Sequence, residues 1–270
     1  MRETAVNKVM PYFGFGKLKA EEIQAKAAGE LVTIADTSAE QALSKRLLDV
    51  LPGALVIGEE AYAKDPSVII NLASDSPVWI IDPVDGTSAF AKGEPRFGMI
   101  VALAVKQEIV AGWIYNPVTD QIAVAEKGAG VYFHGERLKT LPATDMRNMR
   151  GLFGYKLIDA CKKSSLVKDS ELIVEPTGAA CFDYLRLLFD KPHFGRDESQ
   201  IHCRALSDFT SPWDDAAGIL MHREAGGYAD HWDGAAYDLQ SPHDKGLLLA
   251  PDHESWLSIR DWCGTLLRKS

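Results

Sequence analysis

The chain has 270 residues, 46% of them apolar and 25% charged, which fits one large globular domain or two closely joined halves and excludes disordered and collagen-like chains. Its 38 acidic against 29 basic residues give a formal net charge of −9, so the overall field repels nucleic-acid backbones and anionic membrane surfaces, and neither is expected as a partner. No signal-peptide core follows the charged N-terminus, and the longest apolar run, near Met99 to Val105, is too short to span a bilayer, which predicts a cytoplasmic protein.

Helical and strand periodicities alternate from residue 30 onward. The spacing of Ala39, Ala42, Leu43, Leu47 and Leu48 predicts a helix over Thr37 to Leu51, opened by a Thr37/Glu40 capping box and stopped by Pro52-Gly53. Leu55 to Ile57 and Val78 to Ile81 read as buried strands, each followed at once by acidic residues. Met99 to Val105 and Ile109 to Tyr115 form a predicted antiparallel hairpin, with a further strand at Ile122 to Ala125. Beyond a polar stretch, the pattern predicts a strand at Leu172 to Val174, helices over Ala179 to Phe189 and Pro212 to Glu224, a strand at Leu247 to Ala250 and a last helix over Glu254 to Leu267. A soft boundary near residue 145 divides an N-terminal α+β half, 1–145, with an antiparallel sheet, from a C-terminal α/β half, 146–270.

Chemistry concentrates in acidic segments. In Trp79-Ile80-Ile81-Asp82-Pro83-Val84-Asp85-Gly86-Thr87, an apolar strand runs into two carboxylates, with a proline between them and a glycine after. Thr87-Ser88 would then open a short helix, setting carboxylates that suit hard divalent cations beside free amides that suit phosphate oxygens. The same residues also suit a plain Pro and Asp-Gly turn. Gly58-Glu59-Glu60 follows its strand as Asp82 follows its own, and parallel pairing would bring the two ends together, although a Glu pair there also fits a solvated loop. Ser211-Pro212-Trp213-Asp214-Asp215-Ala216-Ala217-Gly218 reads as a helix start with Asp214 as the reciprocal capping acid, and its small residues permit close backbone approach.

Other motifs lead elsewhere less well. Cys161, Cys181, Cys203 and Cys263 form no CxxC pair. His202-Cys203-Arg204 lacks the arginine six positions after the cysteine that a thiol phosphatase needs, since Phe209 stands there, and Asp82 and Asp85 are too far apart for an aspartyl nucleophile. Gly14-Phe15-Gly16-Lys17 falls short of a P-loop, and the histidines show no zinc-ligand spacing.

Taken in order, Glu30 to Asp36, Gly58-Glu59-Glu60, Asp82 to Thr87 and Trp213 to Gly218 resemble the inositol monophosphatase family of metal-dependent sugar phosphatases, over roughly residues 24 to 250. The resemblance implies a layered αβαβα sandwich of mixed α+β and α/β character, a homodimer, lithium sensitivity, and two or three Mg²⁺ ions per site. It further implies that Glu59, Asp82 and the Val84 carbonyl hold one ion, and that Asp82, Asp85 and Asp214 hold a second. Glu59 would also serve a third ion and catalysis, Asp36 and Thr87 would orient the attacking water, and Asp85, Gly86 and Thr87 would seat the phosphate. Gly178-Ala179-Ala180 matches the substrate segment without its hydroxyl, Asp183 matches an acid on the following helix, and Ser207 replaces a glutamate that contacts sugar hydroxyls in inositol-specific members, with Asp208 one residue away. The expected activity is Mg²⁺-dependent hydrolysis of a small phosphate monoester, inositol 1-phosphate or a related polyol phosphate. A 3′-phosphoadenosine nucleotide, histidinol phosphate and fructose 1,6-bisphosphate are the alternative substrates, and a non-catalytic regulatory module of the same fold is the alternative role.

Overall fold

The computed structural model describes residues 1–13, 23–25, 31–163, 173–188, 201–207, 210–240 and 245–267. The N-terminal residues form a short helical run beginning with α1 (Arg2–Thr4), and β1 (Ile23–Ala25) pairs antiparallel with β2 (Leu31–Thr33). Next come α2 (Ile34–Val50), β3 (Leu55–Gly58), α3 (Glu59–Lys64), β4 (Val78–Asp85) and α4 (Thr87–Ala91). The strands β5 (Gly98–Val105), β6 (Glu108–Asn116), β7 (Gln121–Glu126), β8 (Gly130–Phe133) and β9 (Glu136–Arg137) follow as an antiparallel meander. The remaining elements are β10 (Arg150–Phe153), α5 (Tyr155–Lys163), β11 (Ile173–Pro176), α6 (Ala180–Arg186), β12 (Cys203–Leu206), α7 (Pro212–Glu224), β13 (Tyr228–Asp230), β14 (Leu247–Ala250) and α8 (His253–Leu267).

Strands β3 to β9 make a seven-stranded sheet in sequence order, and a five-stranded sheet has the order β11-β10-β12-β14-β13. Among the described residues, only β3–β4 in the first sheet, and β10–β11 and β10–β12 in the second, pair in parallel.

Alternation along the strands decides what covers each face. On β4, Ile80 points into a core shared with α6, α7 and, from the second sheet, Leu152, Leu247 and Leu249. Its neighbour Ile81 points the other way, against Ala35, Ala39 and Leu43 of α2 and the N-terminal Ala5 and Val9. On β14 the alternate residues Leu248 and Ala250 face Leu157 of α5 and Trp256 and Ile259 of α8. The layers are therefore α2, sheet, α6 with α7, sheet, α5 with α8, the layered sandwich expected from the resemblance. α7 lies close to both its neighbours because its small residues leave room. A Cβ on Gly218 would sit 2.2 Å from the Tyr184 ring, and one on Gly112 of β6 would sit 3.0 Å from Ala217.

Three local expectations need correction. α2 begins at Ile34, so Thr37 lies inside the helix, and Glu40 does not close a capping box but accepts from the Glu60 and Ala61 amides. β4 runs past Ile81 to Asp85, accommodating Pro83 by a register shift against β5 between Asp82 and Asp85. The reciprocal acid at the start of α7 is Asp215, which accepts from the Ser211 amide at 3.1 Å, and not Asp214. Most of the segment 191–210, Asp208 included, lies outside the described residues.

Candidate active site

β3 and β4 run parallel with Gly58 opposite Ile81, so both strands end at one edge of the sheet and deliver their next residues, Glu59 and Asp82, to one place. Glu59 opens α3 and, with Asp82, lines a cavity of about 940 Å³. Beneath it, the buried Glu40 carboxylate accepts from the Glu60 and Ala61 amides at 2.8 Å each, placing an anion at the N-terminus of α3 where the helix dipole favours one.

The turn after β4 is built from backbone contacts. Asp82 Oδ1 accepts from the Val84 amide at 3.0 Å, and the Thr87 hydroxyl donates to the Val84 carbonyl at 3.1 Å. Gly86 has φ +87°, and a Cβ there would lie 2.8 Å from the Arg96 carbonyl oxygen and 2.9 Å from the Ala179 methyl. No other residue fits that turn without displacing its neighbours. α4 starts at Thr87, and the first amides of a helix have no acceptor within it.

The second half of the chain supplies the opposite wall. Asp85 accepts from the amides of Ala180 at 3.1 Å and Cys181 at 2.7 Å, so the start of α6 is fastened to the end of β4. Asp183 accepts from the Gly178 amide through both oxygens, at 3.1 and 3.0 Å, and so fixes the turn Gly178-Ala179. At the start of α7, Asp215 takes the capping bond and also accepts from the Tyr184 hydroxyl at 2.8 Å. Asp214 instead lines the cavity.

Among the described residues, Asp82, Asp85 and Asp214 each offer a carboxylate oxygen, all within 4.8 Å of one another. Burial first, then the charges of Glu59, Asp85 and Asp214, hold the Asp82 carboxyl well above its ordinary range. Burial and the charges of Asp85, Asp215 and Glu59 do the same to Asp214. Burial also raises Asp85, against the opposing pull of the Cys181 thiol, the Cys181 and Ala180 amides and Arg204. Such a cluster calls for compensating positive charge, and its all-oxygen donors suit a hard divalent cation such as Mg²⁺ or Ca²⁺. The residues present therefore fit a metal.

Of the residues singled out from the sequence, Glu59, Asp82, Val84, Asp85, Gly86, Thr87, Gly178, Ala179, Ala180, Asp183 and Asp214 all line the one cavity. Asp36, 1% exposed on α2, is not among its lining residues. Ser207 does not line it either. Sequence reasoning passed over Arg204 and Asp215. Arg204 sits in the short apolar strand Cys203-Arg204-Ala205-Leu206, and a charged residue in such a run is itself a signal that a buried partner exists.

Comparison with known proteins agrees with this geometry. The chain is 30% identical over 246 residues to an inositol-1-monophosphatase of Mesorhizobium japonicum, covering 87% of this chain and 84% of that one. It is 28% identical over 236 residues to an inositol monophosphatase of Dictyostelium discoideum, covering 83% and 80%. Among solved structures, an IMPase of Thermotoga maritima superposes with a TM-score of 0.76 at 20% identity over 100% of this chain and 95% of that one. The extragenic suppressor protein suhB of Bartonella henselae gives 0.76 at 24% identity over the same shares. With the profile of the inositol monophosphatase family matching residues 1–258 as well, the chain belongs to that family.

Proposed function

We propose that this phosphatase-family chain hydrolyses a small phosphate monoester with Mg²⁺, inositol 1-phosphate or a related polyol phosphate being the first substrate to test. The observation that carries this reading is the trio Asp82, Asp85 and Asp214, whose oxygens lie within 4.8 Å of one another in the cavity that the start of α4 also lines. Glu59, Asp82 and the Val84 carbonyl would hold one ion, and Asp82, Asp85 and Asp214 a second, with Glu59 also serving a third. Bound there, the ions would lower the pKa of the attacking water and stabilise the departing oxygen. The Gly86 and Thr87 amides, with Asp85 close by, would seat the phosphate, and Asp36 with Thr87 would orient the water. Gly178, Ala179 and Ala180 would face the alcohol. A seated ester turns a bimolecular attack into an oriented one. The halves 1–145 and 146–270 would then act as one unit, in a cytoplasmic homodimer.

A second substrate reading rests on the cavity itself. Lys92 and Arg96 line it, and so does Tyr155, 78% exposed. Glu94 pairs with Arg96 at 2.8 Å on the same rim, so Lys92 is the cation there that, with the aromatic ring, favours an ester with a second anionic group or a base over a neutral polyol. Among the relatives, an Aquifex aeolicus protein is named fructose-1,6-bisphosphatase/inositol-1-monophosphatase. Another relative, from Vibrio cholerae, is named Nus factor SuhB, which keeps a regulatory role open as a third reading. The test is phosphate release from inositol 1-phosphate, fructose 1,6-bisphosphate, histidinol phosphate and 3′-phosphoadenosine 5′-phosphate, with Mg²⁺ present or chelated. Release that persists undiminished in Asp82→Asn or in chelator would sink the metal-dependent reading. No release from any ester would favour the regulatory one.

A further inference from the structure

The side chain of Arg204, on β12, is buried, with 5% of its surface exposed. Its Nη1 donates to Asp215 Oδ1 at 3.0 Å and to the Tyr184 hydroxyl at 3.3 Å, and its Nε lies 3.5 Å from Asp183 Oδ2. The guanidinium also stands 4.7 Å from the centre of the Tyr184 ring. Neither Asp183 nor Asp215 is among the proposed metal ligands, yet each governs one. Asp183 pins the Gly178 amide, and the amides two and three residues further on grip Asp85. Asp215 caps α7 through the Ser211 amide, and its neighbour in the chain is Asp214.

One cation therefore ties together the starts of α6 and α7, the two elements that orient Asp85 and Asp214. We propose that Arg204 is a positioning residue that sets the separation of Asp85 and Asp214 and thereby the affinity of the site for divalent cations. This rests on the reading of those two aspartates as metal ligands. Two features make the role specific to arginine. Its planar fork engages Asp215 and approaches Asp183 at once, whereas the ammonium of a lysine is a point charge that would serve one of them. It also neutralises two carboxylates that border the cluster, so that their charge does not add to the load on Asp82, Asp85 and Asp214. Groups that orient the ligands of a metal, without touching it, characteristically govern affinity by about 10- to 100-fold.

The test is calorimetric titration of Mn²⁺ into the metal-free full-length chain, for the wild type, Arg204→Lys, Arg204→Met and Asp215→Asn, beside thermal melts in chelator. Arg204→Met is expected to weaken Mn²⁺ binding by roughly 10- to 100-fold, with Arg204→Lys and Asp215→Asn in between. The Mg²⁺ concentration for half-maximal phosphate release should rise by the same factor, while KM for the ester at saturating Mg²⁺ stays near the wild-type value. Should Arg204→Met not fold, Arg204→Lys and Asp215→Asn carry the comparison. Folded variants that melt earlier yet bind Mn²⁺ with the wild-type constant would overturn the proposal, leaving Arg204 a packing residue. A wild-type chain that binds no Mn²⁺ would overturn the metal-site reading, and this inference with it, and that result is distinct from unaltered binding in the variants.

Discussion

Asp85 Oδ2 accepts a hydrogen bond of 2.7 Å from the amide of Cys181, so one carboxylate both faces the acidic cluster and fastens α6 to the end of β4. With the 3.1 Å bond from Ala180 to Oδ1, both oxygens accept from one helix start while Asp85 still lines the cavity. Asp85→Asn keeps an oxygen acceptor but puts an NH₂ where one amide now donates. That variant is expected to lose phosphate release by about 10³-fold, since several kcal/mol of transition-state stabilisation by the ions is forfeited. It should also lower the melting temperature in chelator, since a donor–donor clash replaces a bond. Cys181→Ser, which leaves the amide in place and puts a hydroxyl donor where the thiol now bonds to Asp85, should do neither. Initial rates and melts of the two variants side by side check the pairing.

The acidic cluster links pH, metal and stability. Asp82 and Asp214 have pKa values raised in the folded chain, mainly by burial and then by the charges of neighbouring carboxylates, Glu59 foremost for Asp82 and Asp85 for Asp214. A carboxyl with a folded-state pKa above its unfolded value contributes stability below the unfolded value, and that contribution disappears as pH rises through the folded one. The metal-free chain should therefore lose stability from mildly acid pH toward neutral and alkaline pH. A divalent cation replaces the missing positive charge, so Mg²⁺ should stabilise little in acid and much above neutrality. At 100 times its Kd the ion contributes about 2.7 kcal/mol, or roughly 5 to 10 °C for a chain of this size. Melts across pH with Mg²⁺ or chelator check this. A Mg²⁺-induced shift that shrinks as pH rises contradicts it.

Glu40 gives a pH effect that can be isolated by one substitution. Its pKa is raised to about 7, first by burial and against the two amide bonds it accepts. Its contribution to stability is full below its ordinary value of 4.5 and is lost as pH climbs through about 7. Glu40→Gln should flatten the pH dependence of stability over that interval. Glu40→Ala, by leaving the first turn of α3 uncapped, should cost about 1 to 2 kcal/mol. Because α3 begins with Glu59, the alanine variant should also need more Mg²⁺ for half-maximal activity. Urea titrations at pH 5 and pH 8 separate the two effects.

What could be read in advance depended on how many neighbours each residue answers to. α7 was legible to its last residue because the proline at its start and the apolar face agree over Pro212–Glu224, and β14 because Leu247–Ala250 is apolar throughout. The parallel pairing that joins Glu59 to Asp82 followed from two strands with the same ending. The capping assignments failed where local pattern met long-range demand. Thr37 and Glu40 have the spacing of a box, but Glu40 answers to α3, twenty residues on. Asp214 and Asp215 are equivalent by sequence, and only the position of Tyr184 and Arg204 decides which one caps and which one faces the cavity. β10 and β12 are four residues long and contain Arg150 and Arg204, so no window of periodicity could reveal them.

Gly86 and Gly53 form a matched pair for the last prediction. Both have φ +87°, so alanine at either position pays the same left-handed backbone penalty, of order 1 to 2 kcal/mol. Their surroundings differ. Nothing lies within 4 Å of a Cβ at Gly53, whereas one at Gly86 would meet Arg96 oxygen at 2.8 Å and Ala179 at 2.9 Å. Gly53→Ala should lose stability and keep full activity. Gly86→Ala must push the β4 turn away from Ala179, displacing both the Thr87 amide and Asp85, and a shift of about 1 Å in a reacting geometry costs on the order of 10²-fold in rate. Rates at saturating Mg²⁺ and melting temperatures for the two variants distinguish backbone strain from a displaced site. Equal loss of activity in both would mean that strain alone accounts for Gly86 and that the turn does not seat the phosphate.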